Sequence, residues 1–263
     1  MNLAHANIAI RQRNVLESVD LSLPFVLRLG KGVYLRLMLA TLLPSWLACG
    51  VLGYVLKLHW AWLWLFALTM HSLLQGVFTL TAGQLVFEES VSARQILKKF
   101  VRKLPSYAAG LLYTRTLIAL SSLTFLLLLP ITWVRLAYAH EVMLLEGATL
   151  KSLWSRCSAL VKGQTGPALQ MLLCLVSVAC ASILCSELLA LGLVSYLLQL
   201  GSPFGSLFED GGSLFALFGL FVSTPLVATA RFLTFIDGRT RRDAWDVQVR
   251  FQQVRTEAKV SVL

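Results

Sequence analysis

The chain has 263 residues, of which 57% are hydrophobic and 14% are charged, and its formal net charge is +10. Soluble domains are typically about 45–50% apolar and about 25% charged. The mean hydropathy of this chain is +0.73. These values exclude a disordered chain, a disulfide-built secreted domain and an ordinary soluble enzyme. They predict an all-α, polytopic membrane bundle, and the placement of the positive charges decides its topology.

The polar N-terminus, residues 1–13, lacks the apolar core and small-residue cleavage site of a signal peptide. We therefore expect the first span to direct insertion. The five cysteines form no CxxC pair, and we interpret them as free thiols that act as small hydrophobic residues. We predict no cofactor and no metal site, because the chain has no HExxH motif and no paired cysteine and histidine set.

Three stretches are long and apolar enough to cross a bilayer without ambiguity. A hydrocarbon core of about 30 Å needs about 20 apolar residues in a helix, and residues 37–56, 60–87 and 213–235 meet this requirement. Trp60, Trp62 and Trp64 are expected near one membrane interface, as aromatic belts are.

Two further stretches are ambiguous. Residues 108–146 are either one span that ends near Arg135 or a hairpin of two shorter helices, 111–129 and 131–145, hinged at Pro130. Residues 167–200 are too long for one straight crossing, and a span at 168–189 followed by a short apolar outer segment fits best.

The positive charges favour six spans over five. With six spans, both termini are cytoplasmic and twenty of the 23 Lys and Arg residues lie on that side. With five spans, the charge divides about evenly between the two sides, which is unusual. We therefore predict six transmembrane helices in the bacterial inner membrane, with both termini in the cytoplasm.

Two cytoplasmic segments have the 3.6-residue periodicity of amphipathic helices that lie on an anionic membrane surface. In the first, the apolar face is Ala93, Leu97, Phe100, Val101 and Leu104, and the basic face is Arg94, Lys98, Lys99, Arg102 and Lys103. In the second, the apolar face is Leu150, Leu153, Trp154, Cys157 and Leu160, and the polar face is Lys151, Ser155, Arg156 and Lys162.

The two segments also align loosely with each other, and the N-terminal segment follows a similar course. This predicts one integral membrane domain with a weak three-fold repeat of surface helix plus span hairpin. The units are 14–88, 89–146 and 147–237, and a cytoplasmic tail follows at 238–263. Transporters contain internal repeats, but chance similarity between Leu-rich segments is an alternative explanation.

Two stretches resemble a known family. EVMLLEGATLKSLWSRCSALVKG, residues 141–163, and RFLTFIDGRTRRDAWDVQVR, near the C-terminus, are similar to motifs of a membrane domain that accompanies some glycerophosphodiester phosphodiesterases. Related stand-alone six-span inner-membrane proteins share these motifs. The resemblance implies a six-helix inner-membrane protein without catalytic activity, because the phosphodiesterase chemistry belongs to a separate soluble domain.

Several polar side chains fall within the predicted spans, where ionisable groups are costly and are functional candidates. His71 and Gln75 are four residues apart and share a helix face, which could form an interhelical hydrogen-bonded seam or a proton path. Arg115 is expected to extend towards the cytoplasmic face. Arg135 and Glu187 are predicted to lie at the same depth and to pair.

Small residues also recur at four-residue spacing in the fifth predicted span. Ser177, Ala181 and Cys185 form a small-xxx-small stripe that predicts close helix packing.

The densest charged cluster follows the last span. It comprises Asp237, Arg239, Arg241, Arg242, Asp243 and Asp246, and it is either a solvated exit from the membrane or a docking surface for head groups or a cytoplasmic partner. Beyond it, Val247, Phe251, Val254 and Ala258 have helical spacing, while the alternation of Val247, Val249 and Phe251 leaves a strand open.

These features predict a non-enzymatic inner-membrane protein that organises the membrane or serves as a subunit of an envelope complex. Its expected partners are the bilayer, anionic lipid head groups and a protein of that complex, with no nucleic acid. The candidate contacts are Lys98, Lys99, Arg102, Lys103, Arg156, Asp237, Arg239, Arg241 and Arg242. The alternative is a small transporter or channel subunit that uses the His71/Gln75 seam.

Overall fold

The computed structural model describes residues 13–87, 91–123, 128–201 and 203–243, and within these ranges the chain is helical and contains no strand. In chain order the α-helices are α1 (Val15–Pro24), α2 (Lys31–Leu37), α3 (Leu43–Tyr54), α4 (Trp60–Phe87), α5 (Ala93–Ser122), α6 (Leu129–Arg135), α7 (Ala139–Glu141), α8 (Leu150–Val161), α9 (Thr165–Ala190) and α10 (Leu214–Asp243). Four π-helical segments continue α1, α2, α7 and α9, namely Phe25–Leu29, Met38–Leu42, Val142–Glu146 and Leu191–Leu197. The all-α prediction is confirmed.

Local sequence signals explain several helix ends. The Asn14 side chain accepts a hydrogen bond from the N–H of Val15 at 2.7 Å and caps the start of α1. Pro130 lies in the first turn of α6, where its missing N–H costs nothing. Gly147 has a φ of +67°. This left-handed conformation favours glycine and ends the π-helical segment before α8.

Four helical segments are long and apolar enough to cross a membrane: Gly32–Tyr54, Trp60–Val86, Thr165–Leu197 and Leu214–Arg242. They correspond to the first, second, fifth and last predicted spans. The chain therefore has the helices of a membrane protein, and four of its six predicted crossings have the required length and composition.

The other two predicted crossings have a different structure. α5 runs without a break from the basic segment into residues 111–122, and residues 124–127 of the predicted 111–129 span lie outside the described ranges. The predicted 131–145 span is not one helix, because α6 ends at Arg135 and a turn precedes α7 and the π-helical segment. Residues 136–144 are buried, and protein burial makes irregular backbone tolerable at membrane depth.

α10 lies at the centre of the bundle, packed against α1, α4 and α9. In the most apolar part of each candidate span, 78% of the residues are buried for α10 and 61% for α4. The buried share is only 22% for α9 with its π-helical continuation and 17% for Gly32–Tyr54. The outer helices therefore present apolar side chains outwards, as expected of helices that face lipid. Tyr34 joins three elements, because its hydroxyl bonds Thr229 of α10 at 2.7 Å and its ring stacks on Phe78 of α4.

α5 crosses α4, and its hydrogen bonds and aromatic contacts there fall on a short part of α4. Phe100 and Tyr107 both pack against Gly76, and Arg115 reaches Ser72. The fifteen residues from Phe100 to Arg115 form about 22 Å of helix, whereas their contacts on α4 are only one turn apart.

The crossing also sets the buried face of α5. Ile96, Phe100 and Tyr107 are buried, while Val101 is 63% exposed. The predicted apolar face, with Val101 on it, is therefore rotated relative to the observed one, because Phe100 and Tyr107 both turn towards Gly76. In α8 the buried residues include Leu153, Cys157 and Leu160, all on the predicted apolar face.

The two ends of the bundle differ in chemistry. At the end we call the basic end, the backbone N–H of Arg13 donates to Asp237 at 2.6 Å, and Glu146 pairs with Arg156 and Arg239. The start of α1, the start of α8 and the end of α10 therefore meet there.

The opposite end, which we call the tryptophan end, carries the loop before α10. Trp46 donates to the carbonyl of Leu214, Trp64 donates to that of Gly211, and Trp60 packs against Gly205 and Gly212.

The small residues that join α9 to α10 are not the predicted stripe. Ser177, Ala181 and Cys185 are exposed. Ser182, one residue further round the helix from Ala181, instead donates to the carbonyl of Gly219 at 2.8 Å. Ser186 donates likewise to the carbonyl of Phe215 at 2.7 Å. The stripe prediction was therefore wrong in register by one residue.

Candidate functional site

Polar side chains from four helices meet inside the bundle, and we call this group the polar cluster. Its members are His71, Ser72 and Gln75 of α4, Tyr107 and Arg115 of α5, His140 and Glu141 of α7, and Thr224 and Arg231 of α10. Gln75 lies fifteen residues into α4, which places it about 22 Å from the tryptophan end. The cluster is therefore well inside the long apolar helices.

The α4–α10 side of the cluster contains the predicted seam. Nδ1 of His71 is 2.9 Å from the Thr224 hydroxyl, and its Nε2 is 2.8 Å from the amide nitrogen of Gln75. Both ring nitrogens of His71 therefore have a polar neighbour, and the tautomer of the ring sets which of them donates. The amide oxygen of Gln75 is buried and has no hydrogen-bond partner.

The α5–α7 side of the cluster is centred on Tyr107. Its hydroxyl lies 2.6 Å from Nδ1 of His140 and donates to the carbonyl of Ser72 at 3.3 Å. Arg115 donates to the Ser72 hydroxyl at 2.8 Å. These contacts connect Arg115 to His140 through adjacent polar groups, and His140 is followed directly by Glu141.

Glu141 and Arg231 form a buried ion pair at the base of the cluster. Nε of Arg231 donates to Oε1 of Glu141 at 2.8 Å, and the two side chains are 8% and 0% exposed, respectively. Oε2 of Glu141 and Nη2 of Arg231 are also buried, but neither has a hydrogen-bond partner. Two charged groups are therefore desolvated while part of their hydrogen-bonding capacity stays unused, which costs free energy and makes the pair a functional candidate.

This pair is not among the pairs predicted from the sequence. Arg231 is one of the twenty cations predicted to be cytoplasmic, whereas the structure places it inside the bundle. The signal was available, because Arg231 falls within the apolar run 213–235. His140 and Glu141 are adjacent in sequence, and their separate partners on α5 and α10 are not visible from local spacing.

A groove of about 710 Å³ between α4 and α5 reaches the cluster from the side. Its walls include Leu65, Leu68 and Leu112, and His71 and Arg115 lie at its polar part. Arg115 is exposed towards this groove and does not extend to the basic end, because Ser72 of α4 holds its guanidinium.

Arg135 and Glu187 do not pair, so that prediction was wrong. The Arg135 guanidinium lies 5.8 Å from the ring centroid of Trp154 on α8, beside the start of α9. Glu187 lies 22 residues further along α9, about 33 Å away along the helix.

Glu187 instead serves the tryptophan end. It accepts hydrogen bonds from the N–H of Leu207 at 2.8 Å and from the Ser213 hydroxyl. Ser213 in turn accepts from the N–H of Ala216 at 2.9 Å at the start of α10. A carboxylate is favourable beside a helix N-terminus, so Glu187 fixes the entry into α10.

The predicted basic contacts fall into two groups. Lys98, Lys99 and Arg102 are exposed on α5 and form no ion pair with any carboxylate that the structure describes. Lys103 is also exposed, and its ammonium donates to the carbonyl of Leu144. This part of α5 is thus a row of cations with little internal compensation.

Most cations of the second group form ion pairs with carboxylates of the same chain. Arg156 and Arg239 pair with Glu146 at 2.6 and 3.5 Å. Arg241 pairs with Asp237 at 2.9 Å and also donates to the carbonyl of Arg13. Arg242 is exposed. The predicted docking cluster is therefore largely engaged in joining the end of α10 to the residues just before α1 and α8. Its members beyond residue 243, with the predicted helix or strand there, lie outside the described ranges.

No group of three or more histidine, cysteine, aspartate or glutamate side chains in the described part of the chain could hold a metal ion. Comparison of the sequence with family models and curated proteins, and of the structure with solved structures, finds no match. The resemblance to the phosphodiesterase-associated membrane domain therefore stays a hypothesis.

Proposed function

We propose that this chain is a non-enzymatic integral protein of the bacterial inner membrane that organises the membrane or serves as a subunit of an envelope complex. In this proposal both termini are cytoplasmic and the basic end faces the cytoplasm. The basic half of α5 and helix α8 lie at the membrane surface there. Both four and six crossings return the C-terminus to the side of the N-terminus, so an even number of spans is retained.

The observation that supports this proposal most is the exposed row of Lys98, Lys99 and Arg102. Their charges have no described carboxylate beside them, and the same helix buries Ile96 and Phe100 on its other side. A helix with this distribution suits an anionic leaflet. There, each Lys or Arg near the surface contributes about 1 kcal/mol of attraction. Cations are also concentrated on the cytoplasmic side of membrane proteins in general.

The proposed role of the α5 row is tested by measuring which lipids surround the protein. The full chain is extracted from membranes in polymer nanodiscs, and its anionic and zwitterionic lipids are quantified by mass spectrometry. We expect the variant with Lys98→Gln, Lys99→Gln and Arg102→Gln to retain a smaller anionic fraction.

The control removes the same charge elsewhere, through Arg28→Gln, Arg36→Gln and Lys57→Gln, all at exposed positions outside the candidate contacts. Its anionic fraction should fall less than that of the α5 variant. An equal fall would show that only net charge matters and would contradict a specific role for the row.

A second candidate function is transport, and the polar cluster favours it. The unpartnered atoms of Gln75, Glu141 and Arg231 are buried among two histidines and a tyrosine. The lateral groove brings outside access to His71 and Arg115. Groups of this kind form proton relays in membrane proteins.

Proton movement can be measured directly with an internal pH dye in proteoliposomes under an imposed pH gradient. If the cluster conducts protons, His71→Asn should lower the flux while His59→Asn, at an exposed site on the tryptophan end, should not. No flux above that of protein-free vesicles would remove this candidate.

A further inference from the structure

A second groove, of about 740 Å³, lies at the basic end between α6, α8 and α9, and we call it the α8 groove. Its walls include the apolar side chains of Ile131, Val134 and Leu169. Its volume falls in the range of about 300–1,000 Å³ that is typical of ligand pockets. Neither the polar cluster nor the basic row of α5 contributes to it.

The α8 groove has an excess of positive charge. Arg135 and Lys162 both line it and are exposed, and none of the described residues that line it is a carboxylate. Glu146, a carboxylate of the same end of the bundle, is already paired with Arg156 and Arg239. The charge of the groove is therefore complementary to an anion.

Uncharged donors reinforce this preference. The Ser158 hydroxyl lies in the wall of the groove, and its oxygen is buried without a hydrogen-bond partner. α9 begins at Thr165, which also lines the groove, and its N-cap residue Gln164 makes no side-chain capping bond. The first N–H groups of a long helix are unsatisfied and carry a partial positive charge, so they favour an anion.

The position of the groove specifies the kind of anion. The apolar span Thr165–Leu197 starts at the edge of the groove, so in a bilayer this edge lies near the level of the lipid phosphates. Beside the two cations, apolar side chains of α6 and α9 line the part of the groove from which the span begins. Basic pockets between helices on the cytoplasmic side of membrane proteins bind anionic lipid head groups.

We propose that the α8 groove binds one anionic diacyl phospholipid. Arg135 and Lys162 contact its phosphate, Ser158 donates to a head-group oxygen, and one acyl chain lies along Ile131 and Leu169. This inference rests on the proposed placement of the basic end at the lipid surface, and it adds a defined lipid site to the general attraction of the α5 row.

The site is tested by native mass spectrometry of the full chain in mild detergent, titrated separately with phosphatidylglycerol and with phosphatidylcholine. We expect one tightly bound phosphatidylglycerol per chain and weaker binding of phosphatidylcholine. The Arg135→Gln and Lys162→Gln double variant should bind phosphatidylglycerol about 30-fold more weakly, because each lost cation removes about 1 kcal/mol and 1.4 kcal/mol is tenfold. Arg135→Lys should retain most of the affinity.

The matched control is the Lys57→Gln and Lys151→Gln double variant, which loses the same charge at exposed positions outside the groove. Equal weakening in this control, equal binding of the two lipids, or displacement of the lipid by inorganic phosphate would each overturn the proposal. Failure here is distinct from failure of the proposed function, because the single bound lipid depends on Arg135 and Lys162, whereas the surrounding anionic fraction depends on the α5 row.

Discussion

At the residue scale, Glu141 and Arg231 form an ion pair that is buried in the interior of the bundle. Removing one partner of a buried pair typically costs about 3–5 kcal/mol, because the remaining charge is left uncompensated, whereas replacing both partners with apolar residues is often close to neutral. The pair joins α7 to α10 across 90 residues of chain. It therefore holds the irregular 136–146 segment against the central helix.

We predict that Glu141→Gln and Arg231→Met each lower the stability by about 3–5 kcal/mol, and that the double variant loses much less than the sum. The measurement is thermal unfolding in mild detergent, followed by intrinsic fluorescence, as a double-mutant cycle. Additive losses would mean that the two charges do not compensate each other.

Cys157 supplies a second test at this scale. Burial, and to a smaller extent the nearby carboxylates of Glu141 and Glu146, raise the pKa of its thiol to about 12. Because the thiolate is the reactive form, Cys157 should resist a water-soluble maleimide between pH 7 and 9. A Ser152→Cys variant, at an exposed site on the same helix, should be labelled rapidly.

The raised pKa of Cys157 also makes the stability of the protein depend on pH. An unfolded thiol ionises near pH ~8.5, so the protonated buried thiol contributes stability below that pH. The contribution is lost as the pH rises towards 12. Peptide mapping that found Cys157 labelled as fast as residue 152 of the variant would contradict this environment.

At the scale of elements, the contact between α9 and α10 depends on one glycine. A Cβ on Gly219 would clash with the carbonyl oxygen of Ser182, which is backbone and cannot rotate away. Gly219→Ala should therefore separate the two helices and destabilise the protein by about 1–3 kcal/mol.

Gly50→Ala is the control for this prediction. Its Cβ would meet only Leu214, at 3.6 Å, and alanine is the better helix former inside α3. We expect an unchanged or slightly higher melting temperature in detergent. Equal effects of the two substitutions would show that the α9–α10 contact is looser than described.

The long apolar elements are predictable from sequence, and the short ones are not. Residues 60–87 and 213–235 are recognisable from length and hydropathy alone, because a bilayer requires both. The break after Arg135 precedes the contact of Glu141 with Arg231, which joins distant segments and which no local pattern encodes. The packing register of α9 depends likewise on Gly219 of another helix, so Ser182 could not be distinguished from Ala181.

The candidate site was predictable only in part, for a related reason. His71 and Gln75 share a helix face through their spacing, and they are hydrogen-bonded in the structure. The meeting of Tyr107 with His140 carries no such signal, because the two residues lie on different helices and no local spacing relates them. Their meeting follows from where α5 and α7 pack against each other, which sequence periodicity does not determine.

At the scale of the whole molecule, the charge is concentrated in space as well as in sequence. The starts of α1 and α8 and the end of α10 meet at the basic end through Asp237 and Glu146, whereas tryptophans and backbone carbonyls form the opposite end. A five-span topology would separate the start of α8 from the start of α1 by the full membrane. The observed contacts are incompatible with that separation.

The central claim is that the basic end faces the cytoplasm, and sided cysteine labelling tests it most directly. Single variants His59→Cys, at the tryptophan end, and Ser152→Cys, at the basic end, are exposed to a membrane-impermeant maleimide in intact spheroplasts. We predict that residue 59 is labelled at once and residue 152 only after the membrane is opened. Labelling of residue 152 in intact spheroplasts, with residue 59 protected, would contradict the account.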